Sequence, residues 1–302
     1  MNIRNIGLVG YGEVGKIFGA ALQGRTGIAT VGAWDLKFAD AAMRAGEQAH
    51  ARKAGVTVHG SMQALCAASD LIISAVTASN TLAVAQEAAP HIRRGALFLD
   101  LNSASPGTKQ QAGAVIDAAG GRYVEAGVMT SVPPYGIKVP MLLGGASAAE
   151  LAAVLAGWGM DAKPVSEQLG VASAIKMCRS VMIKGLEALV IESYTTAREY
   201  GVEEYVLPTL AETFPSIDWQ KQGAYLFSRV VQHGKRRAEE MREAANTVRE
   251  AGFEPFMSAA IADKQQFVAD AATAGAFKDV AKDARWQEYA DRLIEHSRRK
   301  HK

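Results

Sequence analysis

Two stretches of this 302-residue chain carry residue types at spacings that chemistry uses. The first, "GVASAIKMCRSVMIKGLEAL" at residues 170 to 189, is mostly apolar with a lysine, Lys176, in its first half. At helical spacing Ser173, Arg179, Ser180 and Lys184 share the side of Lys176, and Glu187 lies a turn beyond. Periodicity alone describes a solvated stripe and a site-lining stripe equally well. A solvated stripe usually interleaves signs, whereas here three cations precede the first acid. A lysine held in a pocket can take a proton from an alcohol or return it to a carbonyl oxygen. A free lysine, with a pKa of about 10.4, is only about 0.1% neutral near pH 7.5, so such a base needs burial or nearby cations to favour its neutral form. Arg179 and Lys184 are expected to act in that way and also to bind an anionic substrate group.

The second stretch, "NIGLVGYGEVGKIFGAAL", places Gly10, Gly12 and Gly15 in the G-x-G-x-x-G spacing between an apolar strand and a helix. Small or absent side chains there let a pyrophosphate approach the N–H groups at the start of a helix. Gly10, Tyr11, Gly12, Glu13, Val14 and Gly15 are therefore the expected dinucleotide contacts. The next strand, "TVGAWD", ends in Asp35, twenty positions beyond Gly15, where an acid takes the ribose hydroxyls of an adenosine. That acid repels a 2'-phosphate and so favours NAD, with NADP left open because Lys37 lies two residues on. "SAVTAS" follows the fourth strand, where a crossover loop lies beside the cofactor, and adds Val76 and Thr77. The bland alternative is that the glycines serve a tight turn and Asp35 caps the end of its strand.

Around these stretches, short β-branched runs alternate with Ala-rich helical segments: "NIGLVG", "TVGAWD", "VTVHG", "DLIISAV", "GALFLDLN", "RYVEAGVM", "VPMLLGG" and "AKPVSE". Near-continuous apolar strands separated by helices predict a parallel sheet covered on both faces. After about residue 166 the strands stop, and residues 169–299 give helix after helix with breaks at "EYGVEE", "LPTLAETFPSID" and "EAGFEP". The expected domains are 1–166, α/β and dinucleotide-binding, and 167–302, all-helical. Lys176 then stands just past the last strand, on a helix expected to line the cleft beside the cofactor domain.

Composition narrows the partners. Thirty-three Lys and Arg against thirty-one Asp and Glu give a net charge of +2, and the main basic run is the tail "HSRRKHK", so nucleic acid is not an expected partner. No apolar run approaches the roughly 20 residues that span a bilayer, and a strand starts within three residues of the N-terminus, leaving no room for a signal peptide. The expectation is a cytoplasmic protein without a membrane partner. Cys66 and Cys178 stand alone in apolar surroundings without metal-ligand spacing, so no metal site is expected and both read as structural thiols in a reducing compartment.

The order of these parts resembles the β-hydroxyacid dehydrogenase family, which includes 6-phosphogluconate and 3-hydroxyisobutyrate dehydrogenases. "GLVGYGEVG", "DLNSASPGT", "YVEAGVMTSVPPYGIKVPMLLGG" and "GVASAIKMCRS" carry the resemblance. It implies a Rossmann-type doubly wound parallel sheet followed by an all-α domain, and an NAD(P)-dependent oxidoreductase acting on a small, anionic hydroxy acid or related alcohol. The family's last segment reads approximately G-x-G-x-x-x-K-x-x-N-N, its lysine being the general acid/base. Gly170 and Lys176 match, while Ala172 replaces the second glycine and Arg179 and Ser180 stand where asparagines would be. Met129, Thr130 and Ser131 replace the Ser-Gly-Gly that holds substrate in better-known members, so the substrate's identity does not carry over.

Asn102 and Ser103 are further candidates to offer an amide and a hydroxyl to substrate. Their bland alternative is a turn or N-cap before "SPGTKQQAGAV", for which Ser105 followed by Pro106 is suited. The helical half, with "FSRVVQHGKRRAEEMREAA", looks like a C-terminal domain of unassigned function. His233 and Arg237, four apart on one face, are candidates for a substrate anion, and a homodimer is expected because such helical domains pair in relatives. Two rivals remain: an imine reductase, whose members generally lack the lysine, and a sensor that binds dinucleotide without turnover.

Overall fold

The computed structural model describes residues 3–300 and divides into two compact units, one ending at Met177 and the other starting at Cys178. All eight strands expected from the sequence form. In the first unit the elements run β1 (Asn5–Val9), α1 (Glu13–Leu22), β2 (Thr30–Trp34), α2 (Arg44–Lys53), β3 (Thr57–Val58), α3 (Met62–Ala68), β4 (Leu71–Ser74) and α4 (Thr81–Ala88). They continue with β5 (Leu97–Asp100), α5 (Pro106–Ala118), β6 (Arg122–Val128), β7 (Met141–Gly144), α6 (Ala148–Gly157) and β8 (Ala162–Ser166). The strands make one sheet in the order β3-β2-β1-β4-β5-β6-β7-β8. The order reverses direction at β1 and β4, whose carboxyl ends meet at Val9 and Ser74; a doubly wound sheet opens its ligand crevice at such a switch point.

Apolar side chains leave both faces of these strands. Ile6, Leu8, Val31, Ala33, Ile73 and Leu99 pack with Phe18 and Leu22 of α1. Val9, Ile72 and Phe98 pack on the other face with Leu65, Cys66, Ala85 and Ile116. Covering both faces is what a parallel sheet requires, and each fully buried aliphatic side chain stabilises the fold by about 1.5–3 kcal/mol. One pairing departs from the parallel expectation: β7 runs antiparallel to β6. The connection between them carries only a short 3-10 turn, Gly136–Lys138, and no crossover helix, so the chain returns in the opposite direction.

The helical elements are α7 (Val171–Tyr200), α8 (Glu203–Thr213), α9 (Trp219–Glu250), α10 (Phe256–Thr273) and α11 (Trp286–Lys300). The boundary between units falls within α7, eleven residues later than the break at 166 that the end of the strands suggested. The first turn of α7 is hydrogen-bonded to β6, which keeps residues 171–177 with the sheet. The second unit has its own core of Tyr194, Phe227, Val230, Trp286 and Tyr289. Its breaks differ in extent from those expected. Pro208 lies inside α8 on an exposed position, where water can satisfy the carbonyl left without a donor, and the helix ends only at Thr213. A further irregular stretch at 274–285 was not anticipated.

Candidate functional site

At the end of β1 the chain turns through Gly10, whose φ of +92° belongs to glycine and whose missing Cβ makes room for the Ala75 carbonyl. Gly15 likewise leaves space for the Gly10 carbonyl. Gly12 differs: a Cβ there meets no atom within 4 Å, so packing within the protein does not demand a glycine. Gly12 is the N-cap of α1 and no side chain caps that helix, so its first-turn N–H groups are available to an anion. A bare N-terminus beside a glycine that only an outside group would require fits a dinucleotide's pyrophosphate.

Asp35 follows β2, and its carboxylate accepts from Tyr11 N at 2.6 Å and from Lys37 N at 2.8 Å. It thus caps the turn Leu36–Phe38, as the bland alternative held, and also ties the glycine loop to the end of β2. Each oxygen uses one of its lone pairs, leaving the other for ribose hydroxyls. The Tyr11 side chain is buried against Phe38 and His50, so its main chain is what lies on the loop. Glu13 is exposed, and Val14 is half-buried against the core. Val76 N donates to Asn102 Oδ1 at 2.7 Å, and the exposed Thr77 accepts from Asn80 Nδ2 at 2.8 Å.

The loop after β5 meets the start of α7. Lys176, half-buried one turn into α7, donates from Nζ to Ser103 Oγ at 2.5 Å. Asn102 makes hydrogen bonds within the protein. It is buried, its Oδ1 takes Val76 N, and its Nδ2 donates to Ser74 Oγ at 3.0 Å, so it stitches this loop to the one after β4. Ser105 caps α5 by accepting from Thr108 N, with Pro106 at the first helical position. Beneath the loop, Asp100 accepts from Tyr123 Oη at 2.5 Å, Lys109 Nζ at 3.0 Å and Asn102 N at 2.8 Å. Burial and the adjacent Asp100 carboxylate push the Tyr123 phenol well above its usual pKa, which keeps it a hydrogen-bond donor. Sequence reasoning missed Asp100, Lys109, Tyr123 and Glu125. The available signal was a charge set in an otherwise apolar strand or Ala-rich helix, which is rarely buried without a partner. Met129, half-buried, and Thr130, exposed, follow the end of β6.

Comparison with known proteins places the chain in a family. Residues 5–154 match the model of the NAD binding domain of 6-phosphogluconate dehydrogenase, and residues 197–268 match a domain of unknown function (DUF1932). A conserved hypothetical protein from Sinorhizobium meliloti 1021 is 38% identical with a TM-score of 0.77, covering 98% of this chain and 97% of its own. The chain belongs to the 6-phosphogluconate dehydrogenase-like family. MTH1747, a conserved protein of unknown function described as structurally similar to 3-hydroxyacid dehydrogenases, is 30% identical with a TM-score of 0.68, covering 89% of this chain and 98% of its own. The 3-hydroxyisobutyrate dehydrogenase of Salmonella typhimurium shares the fold at 16% identity and a TM-score of 0.65, over 95% of this chain and 98% of its own.

In this 6-phosphogluconate dehydrogenase-like chain the remaining candidates belong to the second unit. Arg179 is exposed, Ser180 is buried and accepts from Lys184 Nζ at 3.1 Å, and His233 is half-buried on α9. Two cations proposed for a substrate anion are engaged elsewhere. Lys184 pairs with Glu240 at 2.9 Å, and Arg237 is buried in a two-pronged pair with Glu187, which also accepts from Gln265 Nε2 at 3.1 Å. Their charges are already matched, so neither is the free cation that the helical spacing suggested. The cysteines also part ways. Cys66 is buried, which pushes its thiol up to about 12, whereas Cys178 is exposed rather than packed in apolar surroundings. Among the described residues no group of three His, Cys, Asp or Glu is arranged to hold a metal, and no helix is long and apolar enough to cross a membrane.

Proposed function

We propose that this chain moves hydride between a nicotinamide dinucleotide and a small, anionic hydroxy acid or related alcohol, with Lys176 as the general acid/base. The observation that carries this reading is the 2.5 Å pairing of Lys176 Nζ with Ser103 Oγ beside the carboxyl end of β5. Gly10, Gly12 and Gly15, the first-turn N–H groups of α1 and the Asp35 carboxylate are the groups that would hold the dinucleotide. When bound, the nicotinamide supplies the carbon that takes or gives hydride. Lys176 Nζ accepts the alcohol proton during oxidation and donates it to the carbonyl oxygen during reduction. Ser103 Oγ orients that amine and offers a second contact to the same oxygen. Met129 and Thr130 supply further substrate contacts, and Arg179 and His233 are the candidates for the substrate's charged group. Asp35 favours NAD, because its charge opposes a 2'-phosphate.

The test begins with quenching of tryptophan fluorescence. NADH is expected to bind more tightly than NADPH, and the reverse order would defeat the role given to Asp35. A screen of small hydroxy acids for nucleotide reduction follows. With the substrate found, Lys176→Ala is expected to lower kcat by about 10²–10⁴-fold while NADH affinity changes little; near-normal kcat would remove Lys176 from the chemistry.

A further inference from the structure

Behind Ser103 and Lys176 stand two carboxylates that are neighbours across the sheet. Asp100 and Glu125 are Cα partners in the parallel β5–β6 pair, so their side chains leave the same face. Asp100 is matched by the Lys109 ammonium, the Tyr123 hydroxyl and the Asn102 N–H. Glu125 is fully buried and has no basic side chain paired with it among the described residues. Its Oε1 accepts from Gly170 N at 2.8 Å and Ala172 N at 3.0 Å, and its Oε2 is buried without a partner. Burying a carboxylate without a cation is costly unless N–H donors compensate it, and the first turn of a helix supplies both free N–H groups and a favourable dipole.

The neighbouring strand is fitted to that carboxylate. Gly144 of β7 is the antiparallel partner of Glu125, and a Cβ at that position would lie 2.6 Å from Glu125 Oε1. Two residues along the same face of β6, Gly127 lies against the Ala172 carbonyl, and a Cβ there would stand 3.4 Å from Lys176 Cβ. Strand β6 thus holds the start of α7 at two points: the N–H groups of its first turn by Glu125, and its approach to the sheet by Gly127. Lys176 is four residues beyond Ala172, one turn farther along the same side of the helix.

We propose that Glu125 is the positioning residue of Lys176: its carboxylate anchors the first turn of α7 and thereby sets where Lys176 Nζ meets Ser103 Oγ. The functional meaning of this placement rests on Lys176 being the proton carrier, but the placement can be measured without turnover. The chain is labelled briefly with limiting trinitrobenzenesulfonate and digested, and modification of Lys176 is quantified by mass spectrometry against the exposed Lys138 and Lys163 of the same molecules. Three variants divide the possibilities. Glu125→Gln keeps an oxygen that can accept both N–H bonds, Glu125→Ala removes it, and Gly144→Ala leaves the carboxylate in place but crowds its Oε1.

Circular dichroism checks that each variant is folded. Relative labelling of Lys176 is expected to rise by about threefold or more in Glu125→Ala and Gly144→Ala, the population change that a lost helix cap brings, and by less in Glu125→Gln. Unchanged relative labelling in a folded Glu125→Ala overturns the proposal. If that variant does not fold, unchanged labelling in Gly144→Ala overturns it instead. Failure of wild-type protein to oxidise any hydroxy acid would count against the proposed function and leave the labelling result standing. Where a substrate is found, Glu125→Gln is expected to lower kcat more than it raises KM.

Discussion

At Gly10 an added methyl group would collide with the Ala75 carbonyl and would sit at a φ that L side chains rarely adopt, whereas at Gly12, two residues on, it would meet nothing within 4 Å. The fold therefore demands a glycine at position 10 but not at position 12, where the proposed dinucleotide would be what requires it. Gly10→Ala is expected to destabilise the protein by roughly 1–3 kcal/mol. Gly12→Ala is expected to leave stability within about 0.5 kcal/mol and to weaken NADH binding about tenfold or more. Urea denaturation paired with NADH titration separates these outcomes, and unchanged NADH affinity in Gly12→Ala would remove the loop's claim on the pyrophosphate. The sequence made the loop legible because its signal is local: three glycines, a strand before and a helix after. Lys176 was singled out by its charge pattern, its place just past the last strand and the family motif, and what the structure adds is its contact with Ser103. The loop-joining role of Asn102 was not legible because its partners, Ser74 and Val76, lie far away in sequence. Asp100 and Glu125 were overlooked for the same reason, since a buried carboxylate declares its role only through donors brought to it by the fold.

At the scale of elements, α7 shows how far periodicity goes. The spacing of Ser180, Lys184 and Glu187 correctly places them on one side, but spacing does not say what faces them. Glu187 is met by Arg237 from α9 and Gln265 from α10, and Lys184 by Glu240, so the stripe is a buried seam rather than a solvated face. Removing one partner of a buried pair leaves the other charge without compensation, so Arg237→Ala is expected to destabilise the second unit by about 3–5 kcal/mol. Combining Arg237→Met with Glu187→Leu removes both charges at similar volume and is expected to recover most of that loss. Urea denaturation of the two variants compares them directly. A double variant no more stable than Arg237→Ala would show that the seam contributes more than the matching of its charges. The antiparallel β7 lay beyond sequence reasoning in a similar way, because its apolar run reads the same in either direction and only the missing crossover helix separates the two cases.

For the molecule as a whole, stability in acid draws on the clasp around Asp70. Asp70 receives the N–H groups of Arg4 at 3.0 Å and Asn5 at 2.8 Å and pairs with Arg93, clasping the approach to β1 against the start of β4. Partial burial raises its pKa, but those donors outweigh burial and the net shift is downward from 3.8. A carboxylate with a lowered folded pKa contributes stability that is present above 3.8 and lost as pH falls through the folded value. Thermal melts should therefore show Asp70→Asn with a lower Tm than wild type at neutral pH and a gap that narrows below about pH 4; a gap independent of pH would assign the loss to shape rather than charge. Association is a separate prediction. In the second unit Met182 and Leu189 stand seven residues apart on α7 and are both exposed, an apolar stripe of the kind that pairs helices. We take a second copy of the chain as its partner, which predicts a light-scattering mass twice the 32.0 kDa of one chain. Charges of one sign at the centre of such a seam repel their symmetry mates, so Met182→Glu combined with Leu189→Glu should shift the mass toward the monomer while circular dichroism stays unchanged. A wild-type mass of one chain, or a double variant that still doubles, would rule out this stripe as the seam.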